Sequence, residues 1–136
     1  MKDTELKREK ARALYAVYKQ GLEAGQFTSM RDAASRIARH PAPRFYIEAD
    51  TVSLLIGRIL SNKSLIDLSY SQQRMVWQLY QDYKQYLADH PGTELTRTRI
   101  MEELVERPAP EFYMTPDAVR KALRGIIDEV KQKAGW

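Results

Sequence analysis

At 136 residues, with 43% hydrophobic and 29% charged side chains, the chain has the composition of an ordinary soluble globular protein, long enough for one domain or two small ones. It has no cysteine, which excludes a disulfide framework, a thiol nucleophile and any cysteine metal site, and fits a reducing cytoplasm. The net charge of +4 is unevenly spread: residues 1–65 carry 12 Lys+Arg against 7 Asp+Glu, and residues 66–136 carry 10 against 11. Such a balance admits nucleic acid as a partner without requiring it.

The first expected helix runs from about Thr4 to Ala24, with Leu14, Val17, Tyr18 and Leu22 at helical spacing and Gly25 as its stop. Its charged start has no apolar stretch, so it does not read as a signal peptide, and no segment approaches the length of a membrane span. A second helix follows from Met30 to Arg39. Ser29 is its cap, Asp32 completes a capping box, and Ala33, Ala34 and Ile37 face inward. Pro41 and Pro43 end it. The third runs from Ala49 to Leu60, with Val52, Leu55, Ile56 and Ile59 inward and Ser53, Leu54, Gly57 and Arg58 outward.

A fourth helix is expected over Ser71–Ala88, with Val76, Leu79, Tyr80, Tyr83 and Leu87 on one side and His90-Pro91-Gly92 as its stop. Thr96 caps a fifth that runs to about Arg107, with Ile100, Met101 and Leu104 inward. Thr115-Pro116-Asp117 is the clearest helix start in the chain: a capping hydroxyl, proline at N1, and an acid against the helix dipole. The last helix turns Val119, Ala122, Leu123, Ile126, Ile127 and Val130 inward and frays before Gly135.

The second half repeats the first. Between Ile37–Ile59 and Leu104–Ile126, at a shift of 67, 8 of 23 residues are identical, including Pro-Ala-Pro-x-Phe-Tyr. Leu14–Leu22 matches Leu79–Leu87 in 6 of 9 positions at a shift of 65. The expected fold is therefore all-α: tandem pseudo-symmetric tri-helical units, 1–64 and 65–136, packed as one compact helical body with a shared core. The Pro-framed aromatic pairs, Phe45/Tyr46 and Phe112/Tyr113, could stack on bases. They read better as plugs that close a small core, with the tyrosine hydroxyl near solvent. Tyr15/Tyr18 and Tyr80/Tyr83 suggest a seam between the two long helices, or a surface for a partner.

Helix–turn–helix modules read DNA in this shape, although the nine or ten residues between the second and third helices exceed a compact turn. Arg120, Lys121 and Arg124 form a basic outward face suited to phosphates, with a plain solvated face as the default reading of those three alone. In the first unit Arg31, Arg36 and Arg39 on the second helix, Arg44 in the loop and Arg58 on the third helix are the matching candidates. Catalytic, cofactor and metal residues are not expected. His40 and His90 each precede a proline at a helix end, neither with a partner at ligand spacing, and no phosphate loop, nucleophile elbow or zinc motif occurs.

The two elements HPAPRFYIEADTVSLLI and RPAPEFYMTPDAVRKAL resemble those of small proteins without an established activity, encoded in Bacteroidetes genomes and often in phage-like or mobile elements. The resemblance covers about Leu14 to Ile127 and implies work connected with DNA. The expected function is a small cytoplasmic DNA-binding accessory or regulatory protein that contacts the backbone of double-stranded DNA through basic helix faces. The alternative is a non-enzymatic protein-interaction or structural module that binds a partner protein or itself. No membrane partner is expected.

Overall fold

The computed structural model describes residues 3–135. Six helices follow in order: α1 Asp3–Glu23, α2 Met30–Ala38, α3 Ala49–Leu60, α4 Tyr70–Asp89, α5 Arg97–Leu104 and α6 Pro116–Lys133. Among the described residues there is no strand, and the one β-type pairing is an isolated antiparallel bridge between Ala42 and Ala109.

Local chemistry sets the helix ends. The hydroxyls of Ser29, Thr96 and Thr115 accept the backbone N–H groups of Asp32, Arg99 and Ala118, each satisfying one orphan donor of a first turn. Asp32 reaches one residue beyond a standard capping box and accepts the N–H of Thr28 at 3.0 Å. The start of α4 lies one residue before the position expected from periodicity, because Ser69 and Gln72 form a complete capping box there. After α1, Gly25 takes φ 66°, and Gln26 N–H returns to the carbonyl of Gly21. That closes the helix in a left-handed turn which a β-carbon would strain. Helix α5 stops at Leu104, short of the expected Arg107, and the carbonyl of Val105 accepts the N–H of Phe45 at 2.9 Å from the other proline loop.

The helices pack in two groups of three: α1 with α2 and α6, and α4 with α5 and α3. The third helix of each sequence half thus lies against the first two helices of the other half. Val119 and Leu123 of α6, fully buried, close a core with Leu14 of α1 and Ala33, Ala34 and Ile37 of α2. Val52 and Ile56 of α3 do the same with Leu79 of α4 and Ile100, Met101 and Leu104 of α5. All belong to one continuous hydrophobic cluster.

This packing corrects two expectations. Ser53 is not an outward residue of α3. It is 5% exposed, and its hydroxyl accepts Arg97 Nε at 3.2 Å and Thr98 Oγ1 at 3.1 Å from α5. The tyrosine seam between α1 and α4 is absent among the described residues, since the two long helices do not pack on each other. Instead Tyr18 stacks on Phe27 and Tyr80 meets Trp77 edge-on, while Lys19 and Lys84 lie over the rings of Tyr15 and Tyr80.

The proline loops meet at the centre. Ala42 and Ala109, equivalent positions of the repeated motif, exchange both backbone hydrogen bonds, at 3.0 and 2.9 Å. Phe45 stacks on Tyr113 with ring centres 6.0 Å apart, and Tyr46 on Phe112 at 6.2 Å. Each aromatic pair is a plug, completed by the other half of the chain. Tyr113 is more deeply placed than expected, at 9% exposed, and burial pushes its phenol up to about 12. Its φ of 55° puts a bulky side chain in the left-handed region.

Another exchange marks the two halves. On α1, Gly21 lies directly under the ring of Phe27; a β-carbon there would come within 2.2 Å of it. At the equivalent place on α4, Tyr86 is itself buried and stacks on His90. The aromatic ring comes from the loop in one half and from the helix in the other.

Candidate nucleic-acid interface

The inward set of α2, Ala33, Ala34, Ile37 and Ala38, leaves Arg31, Ser35, Arg36 and Arg39 on its exposed side. Because α6 packs across α2, its first turns come to lie beside that face. Arg31 and Arg120 line one hollow of about 340 Å³ together with Ala34, Ser35, Pro116 and Asp117. Ser35 and Pro116 also border the adjoining groove of about 870 Å³, lined further by Arg36, Arg39, Tyr70, Ser71, Arg74 and Thr115. Four arginines that the sequence places on two separate helices are thereby brought onto one surface.

Two helix N-termini open onto the same groove: Tyr70 and Ser71 in the first turn of α4, and Thr115 and Pro116 at the cap and first residue of α6. The positive ends of both helix dipoles add to the guanidinium charge. Tyr70 is 76% exposed, and the Arg74 guanidinium lies 5.5 Å from its ring centre. Arg74 also makes a two-pronged pair with Glu111, at 2.7 and 2.6 Å, and lies 5.5 Å from the centre of the Tyr113 ring. Sequence reasoning missed Tyr70 and Arg74. The Ser69-x-x-Gln72 box could have placed Tyr70 in a first turn, but the Arg74–Glu111 pair spans 37 residues and leaves no local signal.

Some of the basic groups are partly neutralised. Asp117 accepts Arg120 at 2.6 Å and meets Lys121 at 3.3 Å; Lys121 first and then Arg120 hold its carboxyl below the usual range. Asp32 is held low as well, first by the Thr28 N–H and then by Arg36, at 3.1 Å. Exposed pairs of this kind are screened by solvent and hold their partners only weakly. Arg31, Arg39 and Arg124 make no ion pair among the described residues. Lys121 and Arg124 are exposed on α6 but do not line either cavity of this face.

Arg44 and Arg58 stand apart from this surface. Arg44 donates to the carbonyl of Phe45 at 3.0 Å and lines a different hollow with Glu48, Asp50, Glu102 and Glu106. Arg58 binds Asp67 through both terminal nitrogens and the carbonyl of Ser64, clasping the connector that follows α3. His90 caps α4 and donates from Nδ1 to the carbonyl of Tyr86 at 3.0 Å, and His40 contacts the carbonyl of Pro41 at 2.7 Å. Among the described residues no three His, Asp or Glu side chains cluster to hold a metal ion, and no helix is long and apolar enough to cross a membrane. Comparison with protein-family models, with curated proteins and with solved structures finds no match for this chain.

Proposed function

We propose that this protein is a small DNA-binding accessory or regulatory factor that grips phosphates with the joint face of α2 and α6. The observation that carries the reading is the convergence of Arg31, Arg36, Arg39 and Arg120 with two helix N-termini on one continuous surface. Guanidinium groups and the positive end of a helix dipole both attract phosphate. The surface offers backbone contacts more than base readout, so its binding is tolerant of sequence. The role is binding, without catalysis.

The fold belongs to the same proposal: the chain is an internal duplication whose third helices are exchanged about a pseudo-two-fold axis between Ala42 and Ala109. Every helix pairing has its counterpart under that operation: α1–α2 with α4–α5, α1–α6 with α4–α3, and α2–α6 with α5–α3. The reciprocal Phe–Tyr stacks obey it too. The exchange matters for function, because only an α6 seated on α2 sets Arg120 beside Arg31.

Replacing Arg31, Arg36, Arg39 and Arg120 together by alanine tests the proposal. Affinity for duplex DNA should fall for all sequences alike, and the log–log salt slope should flatten by roughly 0.9 for each phosphate that is no longer neutralised. Helicity measured by circular dichroism should persist, since none of the four side chains belongs to the hydrophobic core. An unchanged slope in the folded variant would refute the assignment.

A further inference from the structure

The pseudo-two-fold relates the basic groove to a second cavity, and the two carry opposite charge. Seven lining positions correspond at the repeat's shift of 67, among them Ala38 with Val105, Met114 with Ile47 and Pro116 with Ala49. At two of these positions the sign of charge is reversed, and at two more a neutral residue is matched by an acid. Arg39 is matched by Glu106, Glu111 by Arg44, and the neutral Ser35 and Thr115 by Glu102 and Glu48. The first groove therefore presents Arg36, Arg39 and Arg74 against a single carboxylate. The second presents Glu48, Asp50, Glu102 and Glu106 against a single guanidinium.

We infer that the acidic hollow of one molecule docks on the basic groove of a second copy of this chain, giving a head-to-tail contact. The occupant follows from the charges. A contact that sets either groove against its own copy brings like charges together, which disfavours it, so the acidic hollow faces the basic groove. A heterologous contact sets the acidic surplus of one hollow, four carboxylates with Arg44, against the basic surplus of the other, three guanidiniums with Glu111, and like most charge-complementary contacts it is steered and tuned by salt. A pair joined this way retains one free groove of either sign, so further copies add and assemblies grow with concentration, as a ring or an open chain according to the rotation at the contact. DNA and a second copy compete for Arg36 and Arg39, and duplex DNA shortens the assemblies.

The test is sedimentation velocity on the whole chain, freed of nucleic acid, over a range of protein concentrations. At about 10 mM monovalent salt, where charges act over about 30 Å, the wild type should grow with concentration. At about 1 M, where they act over about 3 Å, it should be a monomer. Arg36→Glu/Arg39→Glu and Glu102→Arg/Glu106→Arg should each remain monomeric at low salt. Their equimolar mixture should associate again through the native face each one keeps. Recovery in the mixture also shows that both variants are folded. A wild type that stays monomeric at low salt, a single variant that associates like the wild type, or a mixture that fails to associate would overturn the inference. Glu102 and Glu106 lie outside the proposed DNA face, so the Glu102→Arg/Glu106→Arg variant separates the two readings: it should lose assembly and keep DNA binding.

Discussion

Truncating Phe112 to alanine probes the interlock between the halves. Phe112 is 3% exposed, lies within the single hydrophobic cluster, and stacks 6.2 Å from Tyr46 of the other half. Removing a fully buried phenylalanine costs about 3–5 kcal/mol. About 0.5–1.5 kcal/mol of that belongs to the aromatic pair, so it should appear as a coupling energy between Phe112→Ala and Tyr46→Ala in a double-mutant cycle. A domain of this kind has about 5–15 kcal/mol of stability, so the variant remains folded with a large part of its margin gone. With a urea slope of about 2 kcal/mol per molar, a loss of about 4 kcal/mol moves the midpoint by about 2 M. Phe45→Ala should behave alike, since Phe45 is equally buried and stacks on Tyr113. Tyr113→Phe should cost far less, because the ring stays. Urea denaturation followed by circular dichroism measures all of these. Stability unchanged in Phe112→Ala, or additivity of Phe112→Ala with Tyr46→Ala, would refute the reasoning; a variant that keeps its stability but no longer binds DNA would make Phe112 a contact residue.

Three further outcomes are expected. Asp117→Asn releases Arg120 and Lys121, so duplex affinity at low salt should rise and the salt slope steepen, measured by fluorescence anisotropy; weaker binding would contradict the role given to α6. Tyr113 has its folded pKa raised to about 12 from 10.0, so the folded state holds its proton longer than the unfolded one. Its contribution therefore opposes folding as pH rises from about 10 to about 12, at up to about 1.4 kcal/mol per pH unit, and Tyr113→Phe should remove that part of the alkaline loss in parallel denaturation curves. Gly21→Ala forces the Phe27 ring aside and off Tyr18, and should cost about 1–3 kcal/mol; adding Phe27→Ala should cost less than the sum of the two changes.

Much of the fold was legible because it is written in local chemistry. The bounds of α3 and the caps Ser29, Thr96 and Thr115 follow from periodicity and from residues three apart. The partners of α3 and α6 were not legible. An apolar stripe such as Val119, Leu123 requires a core without naming one, and the two halves, being alike, offer interchangeable cores. That ambiguity hid the burial of Ser53, whose partners Arg97 and Thr98 lie 44 and 45 residues away. It also decided the candidate site. Arg31, Arg36, Arg39 and Arg120 stood out as outward cations, but their common surface depends on the exchanged α6. Arg74 is held there by the distant Glu111, and Tyr70 joins it as the first residue of α4.

The most direct measurement is a fluorescence-anisotropy titration of a labelled duplex with the wild-type protein at several salt concentrations. The account predicts sequence-tolerant binding whose log affinity falls with log salt at a slope of roughly −3 to −4, the value for about four neutralised phosphates at about 0.9 each. No measurable affinity at low salt, or an affinity indifferent to salt, would contradict it and leave the protein-interaction reading in its place.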